Sequence, residues 1–146
     1  MYISPNVTTM IIPDNRCNDA SIDRLDLSVF PYLQVLIIGN NCFSNVNVVN
    51  FTDFSELLSI SIGSNSFTRE KSWYGNNPNR KFFLKDCPKV KELIIMDYSF
   101  SDFTTCEIEF VPLLERLELG NLITSSYVFH SVAFQLKCTS CTGNHD

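Results

Sequence analysis

The strongest constraint on this 146-residue chain is that it repeats itself. Leu33-Gln-Val-Leu36-Ile-Ile38-Gly-Asn-Asn41-Cys-Phe43 aligns with Leu57-Leu-Ser-Ile60-Ser-Ile62-Gly-Ser-Asn65-Ser-Phe67. Apolar residues stand at positions 1, 4, 6 and 11 of this frame, glycine at 7 and asparagine at 9. The frame also fits Val90-Lys-Glu-Leu93-Ile-Ile95-Met-Asp-Tyr98-Ser-Phe100 and Leu114-Glu-Arg-Leu117-Glu-Leu119-Gly-Asn-Leu122. Val7-Thr-Thr-Met10-Ile-Ile12-Pro-Asp-Asn15-Arg-Cys17 makes a fifth, less regular copy. The copies start near 7, 33, 57, 90 and 114, at intervals of 24–26 residues with a single one of 33. The polar, turn-rich stretch Arg69–Arg80 accounts for the excess and reads as an inserted loop, 69–80. A unit this short cannot bury an apolar face by itself, so the copies are expected to stack on one another.

Positions 4 and 6 alternate with position 5, the period of a short strand with one buried face. This predicts adjacent parallel strands over 35–37, 59–61, 92–94 and 116–118, with 9–11 at an edge. Leu36/Ile38, Ile60/Ile62, Leu93/Ile95 and Leu117/Leu119 are the expected inner layers. The position 9 asparagines Asn15, Asn41 and Asn65 suit the turn that follows, where a side-chain amide can bond backbone groups that the strand leaves unpaired. A second apolar series follows each strand: Ile22/Leu25/Phe30, Val46/Val49/Phe51/Phe54, Phe83/Cys87 and Ile108/Phe110/Leu113. It is too closely interrupted for long helices, leaving short helical turns, 3₁₀ pieces or extended strands. Pro31, Pro88 and Pro112 precede the strands and redirect the chain without removing a ladder bond.

Leu-x-x-Leu-x-Ile/Leu followed by x-Asn-x-Phe makes the chain resemble the leucine-rich repeat superfamily over roughly residues 7–124. The spacing is irregular, and residues 98 and 122 are Tyr and Leu where the pattern has Asn, so no subfamily is matched. The resemblance implies an α/β or mainly β solenoid. It would form a short right-handed arc, with parallel strands on the concave face and short helical turns or extended segments on the convex side. Residues 1–134 are expected to form it and 135–146 a flexible tail. Function is then expected from a non-enzymatic protein–protein interaction module. Uncapped ends would allow self-association, and the alternative is a structural fragment of a larger repeat protein.

Positions 3, 5 and 8 are those expected to project from the concave face, giving the partner-binding candidates Val35, Ile37, Ser59, Ser61, Glu92, Ile94, Arg116 and Glu118. Contiguous exposed Ile and Val on a parallel sheet are consistent with a protein contact patch. Glu92 and Glu118 at its rim would steer a basic partner. Position 8 adds Asp14, Asn40, Ser64, Asp97 and Asn121.

A net charge of −5 and a pI near 4.9 argue against nucleic acid as a partner, because binding the phosphate backbone depends on positive charge. The longest apolar runs, Val35 to Ile38 and Leu93 to Met96, are far short of the roughly 20 residues that cross a bilayer, so no membrane role is expected. No nucleophile, P-loop, dinucleotide or metalloprotease motif is present, so no catalytic residue and no cofactor are expected. Cys106 reads as a packing residue, not as half of a thiolate–imidazole pair with His130, and Asp97, Asp102, Glu107 and Glu109 read as solvated carboxylates. Cys138-Thr-Ser-Cys141 with His145 supplies three of the four ligands that a tetrahedral zinc site requires, a half-site whose simpler reading is a tail with free thiols. Six scattered cysteines in a chain with a core of its own favour reduced thiols and a cytoplasmic setting. The sequons Asn6-Val-Thr8 and Asn50-Phe-Thr52 keep secretion as the alternative.

Overall fold

The computed structural model describes residues 3–69, 79–120 and the backbone of the strand Ala133–Lys137. Among these residues the chain forms ten β-strands and no helix. The first sheet takes every odd strand: β1 (Thr9–Ile12), β3 (Val35–Ile38), β5 (Ser59–Ile62), β7 (Glu92–Ile95) and β9 (Arg116–Leu119). The second takes every even one: β2 (Arg24–Leu25), β4 (Val48–Thr52), β6 (Lys81–Lys85), β8 (Thr105–Glu109) and β10 (Ala133–Lys137). All eight strand pairings are parallel. Each strand of the first sheet occupies positions 3 to 6 of one sequence repeat, so the repeat is one first-sheet strand, a turn, one second-sheet strand and a return. The segments for which helical turns, 3₁₀ pieces and extended strands were all open are extended. β10 runs three residues past the boundary at 134 where the tail was expected to begin, and pairs in register with β8.

One core joins the inward faces of the two sheets. From the first come Leu36, Ile38, Ile60, Ile62, Leu93 and Ile95, and from the second Val49, Phe51, Phe82, Leu84, Cys106 and Ile108. Register puts like beside like, Leu36 against Ile60 against Leu93, so each repeat buries its apolar pair only by lying between two others. The terminal repeats show the converse: Met10, Ile12, Leu117 and Leu119 are only partly buried.

The turn after the first sheet is built from left-handed backbone. Asn15, Asn41, Asn65 and Tyr98 at position 9 have φ of 58–66°, and Cys17, Phe43, Phe67 and Phe100 at position 11 have φ of 56–62°. This corrects the role expected of the asparagines. They are there because asparagine tolerates positive φ better than most residues, and the buried Asn65 Oδ1 has no hydrogen-bond partner. A bulky residue pays about 1–2 kcal/mol to adopt this conformation. At position 11 the outlay is offset by parallel ring stacking, with Phe43 and Phe67 centroids 5.1 Å apart and Phe67 and Phe100 centroids 4.6 Å apart.

The side-chain bonds to backbone groups expected from position 9 come instead from positions 8 and 10, where they form a ladder between repeats. Asp14 Oδ1 accepts the Asn40 N–H at 2.8 Å, and Asn40 Oδ1 accepts the Ser64 N–H at 2.7 Å. These side chains cross the space above position 7 of the next repeat, and that is why glycine stands there. A Cβ on Gly39 would lie 2.4 Å from Asp14 Oδ1 and 2.7 Å from its backbone nitrogen, and one on Gly63 would lie 2.5 Å from Asn40 Oδ1. Where position 8 shortens to Ser64, position 7 of the following repeat is Met96. At position 10, Ser66 Oγ donates to Gly39 O at 2.8 Å and accepts the Cys42 N–H at 3.1 Å. Ser99 repeats the pattern one unit on, donating to Gly63 O and accepting the Ser66 N–H.

Gly39→Ala is expected to destabilise the fold by about 1–3 kcal/mol, the usual range for an overpacked site. Adding Asp14→Ala should recover only part of this, because the backbone contact remains. Urea denaturation of both single variants and the double would read the coupling.

Candidate functional site

The outward side chains of the first sheet form two rows across five strands. Parallel register aligns Thr9, Val35, Ser59, Glu92 and Arg116 in one row, and Ile11, Ile37, Ser61, Ile94 and Glu118 in the other. Neighbours in a row lie one strand spacing apart, about 4.8 Å. The structure thus brings all eight candidate residues onto one face. Ile11 is 64% exposed and Ile37 39%, side by side, while Val35, Ser59, Ser61, Glu92 and Ile94 are half-buried. Ser59 and Ser61, both short, lie on β5 between the longer side chains of β3 and β7 and form a shallow strip along the strand.

The charged end of this face differs from expectation. Glu92 and Glu118 are not free steering carboxylates, because both are shared with Arg116. The guanidinium meets Glu118 Oε1 at 2.7 Å through Nη2 and 3.0 Å through Nε, and lies 3.9 Å from Glu92 through Nη1. Its hydrogen bonds to Glu118 and the two carboxylate charges push its pKa above the ordinary arginine value. A cavity of about 360 Å³ adjoins this cluster, lined by Leu58, Ser59, Lys91, Glu92, Glu115 and Arg116. Leu58, Lys91 and Glu115 all hold position 2, so extending the repeat frame by one column would have found this third row. Asp14 and Asn40 at position 8 are engaged by the neighbouring repeat, and Asn121 lies outside the described residues.

A buried ion pair escaped the sequence reading. Arg80, expected in a polar loop, is 1% exposed and pairs with Asp102, expected to be solvated. Its Nη2 donates to the carbonyls of Ser44 at 2.9 Å and Val46 at 2.8 Å, and its guanidinium lies 4.9 Å from the centroid of the Phe103 ring. Burial lowers the Arg80 pKa, and the charge of Asp102 opposes that shift. The Arg69 N–H also donates to Asp102, at 3.3 Å, so both flanks of the inserted stretch are tied to one carboxylate. Nothing in the sequence marked this pair, because the insertion breaks the phase that would have aligned Arg80. The other carboxylates expected to be solvated include Glu107 and Glu109 on β8, and these face Lys85 at 2.8 and 3.8 Å.

Among the described residues no cluster of three or more His, Cys, Asp or Glu is placed to hold a metal ion, and no helix is long and apolar enough to cross a membrane. Cys138, Cys141, His145 and His130 lie outside the described residues. Cys17, Cys42, Cys87 and Cys106 are free thiols. Burial pushes the Cys87 thiol up to about 11 and raises Cys106 as well, so both are neutral where a nucleophile would have to be ionised. Comparison with protein-family models, curated proteins and solved structures finds no match.

Removing the partner of a buried guanidinium makes Asp102→Ala destabilising by roughly 3–5 kcal/mol, whereas Arg80→Met with Asp102→Leu should recover most of that loss. Chemical denaturation of the single and double variants checks this. The thiols add a pH dependence. A group that is harder to ionise folded than unfolded contributes stability fully below its unfolded pKa, near 8.5. That contribution fades as pH rises through the folded value of about 11 at Cys87. Urea midpoints should therefore fall between about pH 9 and 11, and less steeply in Cys87→Ala/Cys106→Val.

Proposed function

We propose that the chain is a short leucine-rich-repeat-like solenoid acting as a non-enzymatic protein-interaction module, with its partner docking on the outward face of the first sheet. The observation that carries this reading is the row Ile11–Ile37–Ser61–Ile94. Two neighbouring isoleucines stand 64% and 39% exposed on a parallel sheet, and Val35 extends them into a contiguous apolar patch. Isolated exposed apolar residues are ordinary, but a contiguous group beside an exposed charged cluster matches an interface centre and its polar rim. The neutral buried thiols favour a binding module over thiol chemistry, and six cysteines scattered through a chain with a core of its own suit a reducing, cytoplasmic compartment better than secretion. Because Glu118 is tightly paired with Arg116, and Glu92 lies 3.9 Å from the same guanidinium, affinity on this reading comes mainly from the apolar row, with the one uncompensated carboxylate charge adding a modest salt dependence.

The alternative, a structural unit that stacks against further repeats, draws on the partly buried core residues at both ends.

Burying one isoleucine contributes about 1.5–3 kcal/mol, so Ile37→Asp or Ile94→Asp should weaken partner capture by at least tenfold. Lys81→Glu on the second sheet serves as the control. Capture from the native source should be lost with the first two variants and kept with the third, each shown to be folded. Normal capture by both isoleucine variants would remove the first sheet from consideration.

A further inference from the structure

The partly buried Met10, Ile12, Cys17 and Ile22 give the first repeat an apolar end resembling the surface that every later repeat covers. The chemistry that a repeat directs toward its predecessor is nevertheless different here. In the later repeats the position 7 N–H reaches back to the preceding strand: Gly39 to Ile12 O at 2.8 Å, Gly63 to Ile38 O at 2.8 Å, Met96 to Ile62 O at 2.9 Å and Gly120 to Ile95 O at 2.6 Å. Position 7 of the first repeat is Pro13, which has no N–H to give. Its ring also occupies the place that must stay empty beneath an Asp or Asn ladder side chain, as the contacts at Gly39 and Gly63 show.

The second backward link is likewise missing from the first repeat. The small donors at position 10 reach the preceding position 7 carbonyl: Cys42 Sγ to Pro13 O at 3.1 Å, Ser66 Oγ to Gly39 O at 2.8 Å and Ser99 Oγ to Gly63 O. In the first repeat this residue is Arg16, charged and exposed. The third link, the phenylalanine stack, begins at Phe43, and the first repeat carries Cys17 in its place. On the second sheet the outermost strand, β2, is two residues long and flanked by the exposed charges Asp23 and Asp26. Proline, charge and brevity are the means by which edge strands resist pairing.

We infer that the first repeat is a closing unit: Pro13 and Arg16 shut its outward edge against a further repeat and against a strand from a second copy of this chain. Any self-association of the solenoid then runs through the opposite end, and the alternative of a unit stacked on both sides loses one of its two surfaces.

The test adds a duplicate of residues 33–56 immediately before residue 7 of the full chain, in the wild-type background and in Pro13→Gly/Arg16→Ser. The duplicate presents an asparagine ladder residue and a free carbonyl at the edge in question. In the double variant the added repeat should raise Tm by roughly 4 °C or more and slow amide exchange along Thr9–Ile12. In the wild-type background it should leave both unchanged. Hydrogen exchange reads the pairing directly, even where the substitutions themselves lower Tm. Equal stabilisation and protection in both backgrounds, or none in either, would overturn the inference, because Pro13 and Arg16 would not then decide whether the edge pairs.

Discussion

The molecule depends on the hydrogen-bonded turn that follows each strand of the first sheet. Parallel strands alone would fix the spacing between repeats but not their phase, since a β ladder can slip by two residues without changing which side chains face inward. The turn removes that freedom. Position 8 bonds forward through Asp14 and Asn40, position 10 bonds backward through Ser66 and Ser99, and the position 11 rings stack on one another. Left-handed backbone at positions 9 and 11 aims all three sets of groups along the stacking direction. Part of the local backbone strain thus lies where side chains link one repeat to the next.

The two sheets differ in what they turn outward. Each turns an identical ladder outward, yet the second sheet's outward face carries Lys85 between Glu107 and Glu109, whereas the first keeps Ile11 and Ile37 bare. On the reading proposed above, the strands fix the backbone beneath the apolar row in advance, so only side-chain ordering opposes binding there.

The long interval between the third and fourth repeats is tolerated for a related reason. An insertion at a turn disturbs the stack only if its base can move, and Asp102 fastens both Arg69 and Arg80 there, with the Arg80 guanidinium held by two carbonyls of the previous repeat. Forming such a buried pair adds little net stability, because both charges leave water, whereas breaking it leaves one charge uncompensated.

Much of this was written in the sequence. The period of two at positions 4 and 6 named the five strands of the first sheet and the pairs buried on the three central ones, because alternation is a property of the extended backbone and needs no knowledge of neighbours. The same frame placed Val35, Ile37, Ser59, Ser61, Glu92, Ile94, Arg116 and Glu118 on one surface. The tertiary structure decided what depends on the neighbouring repeat: that Asn41 serves a positive φ, that Gly39 makes room for Asp14, that Arg116 is shared by the two carboxylates beside it, and that Arg80 reaches Asp102 across an interrupted phase. Patterning reports which way a residue faces, but the partner it meets there comes from another turn of the chain, and only folding sets that distance.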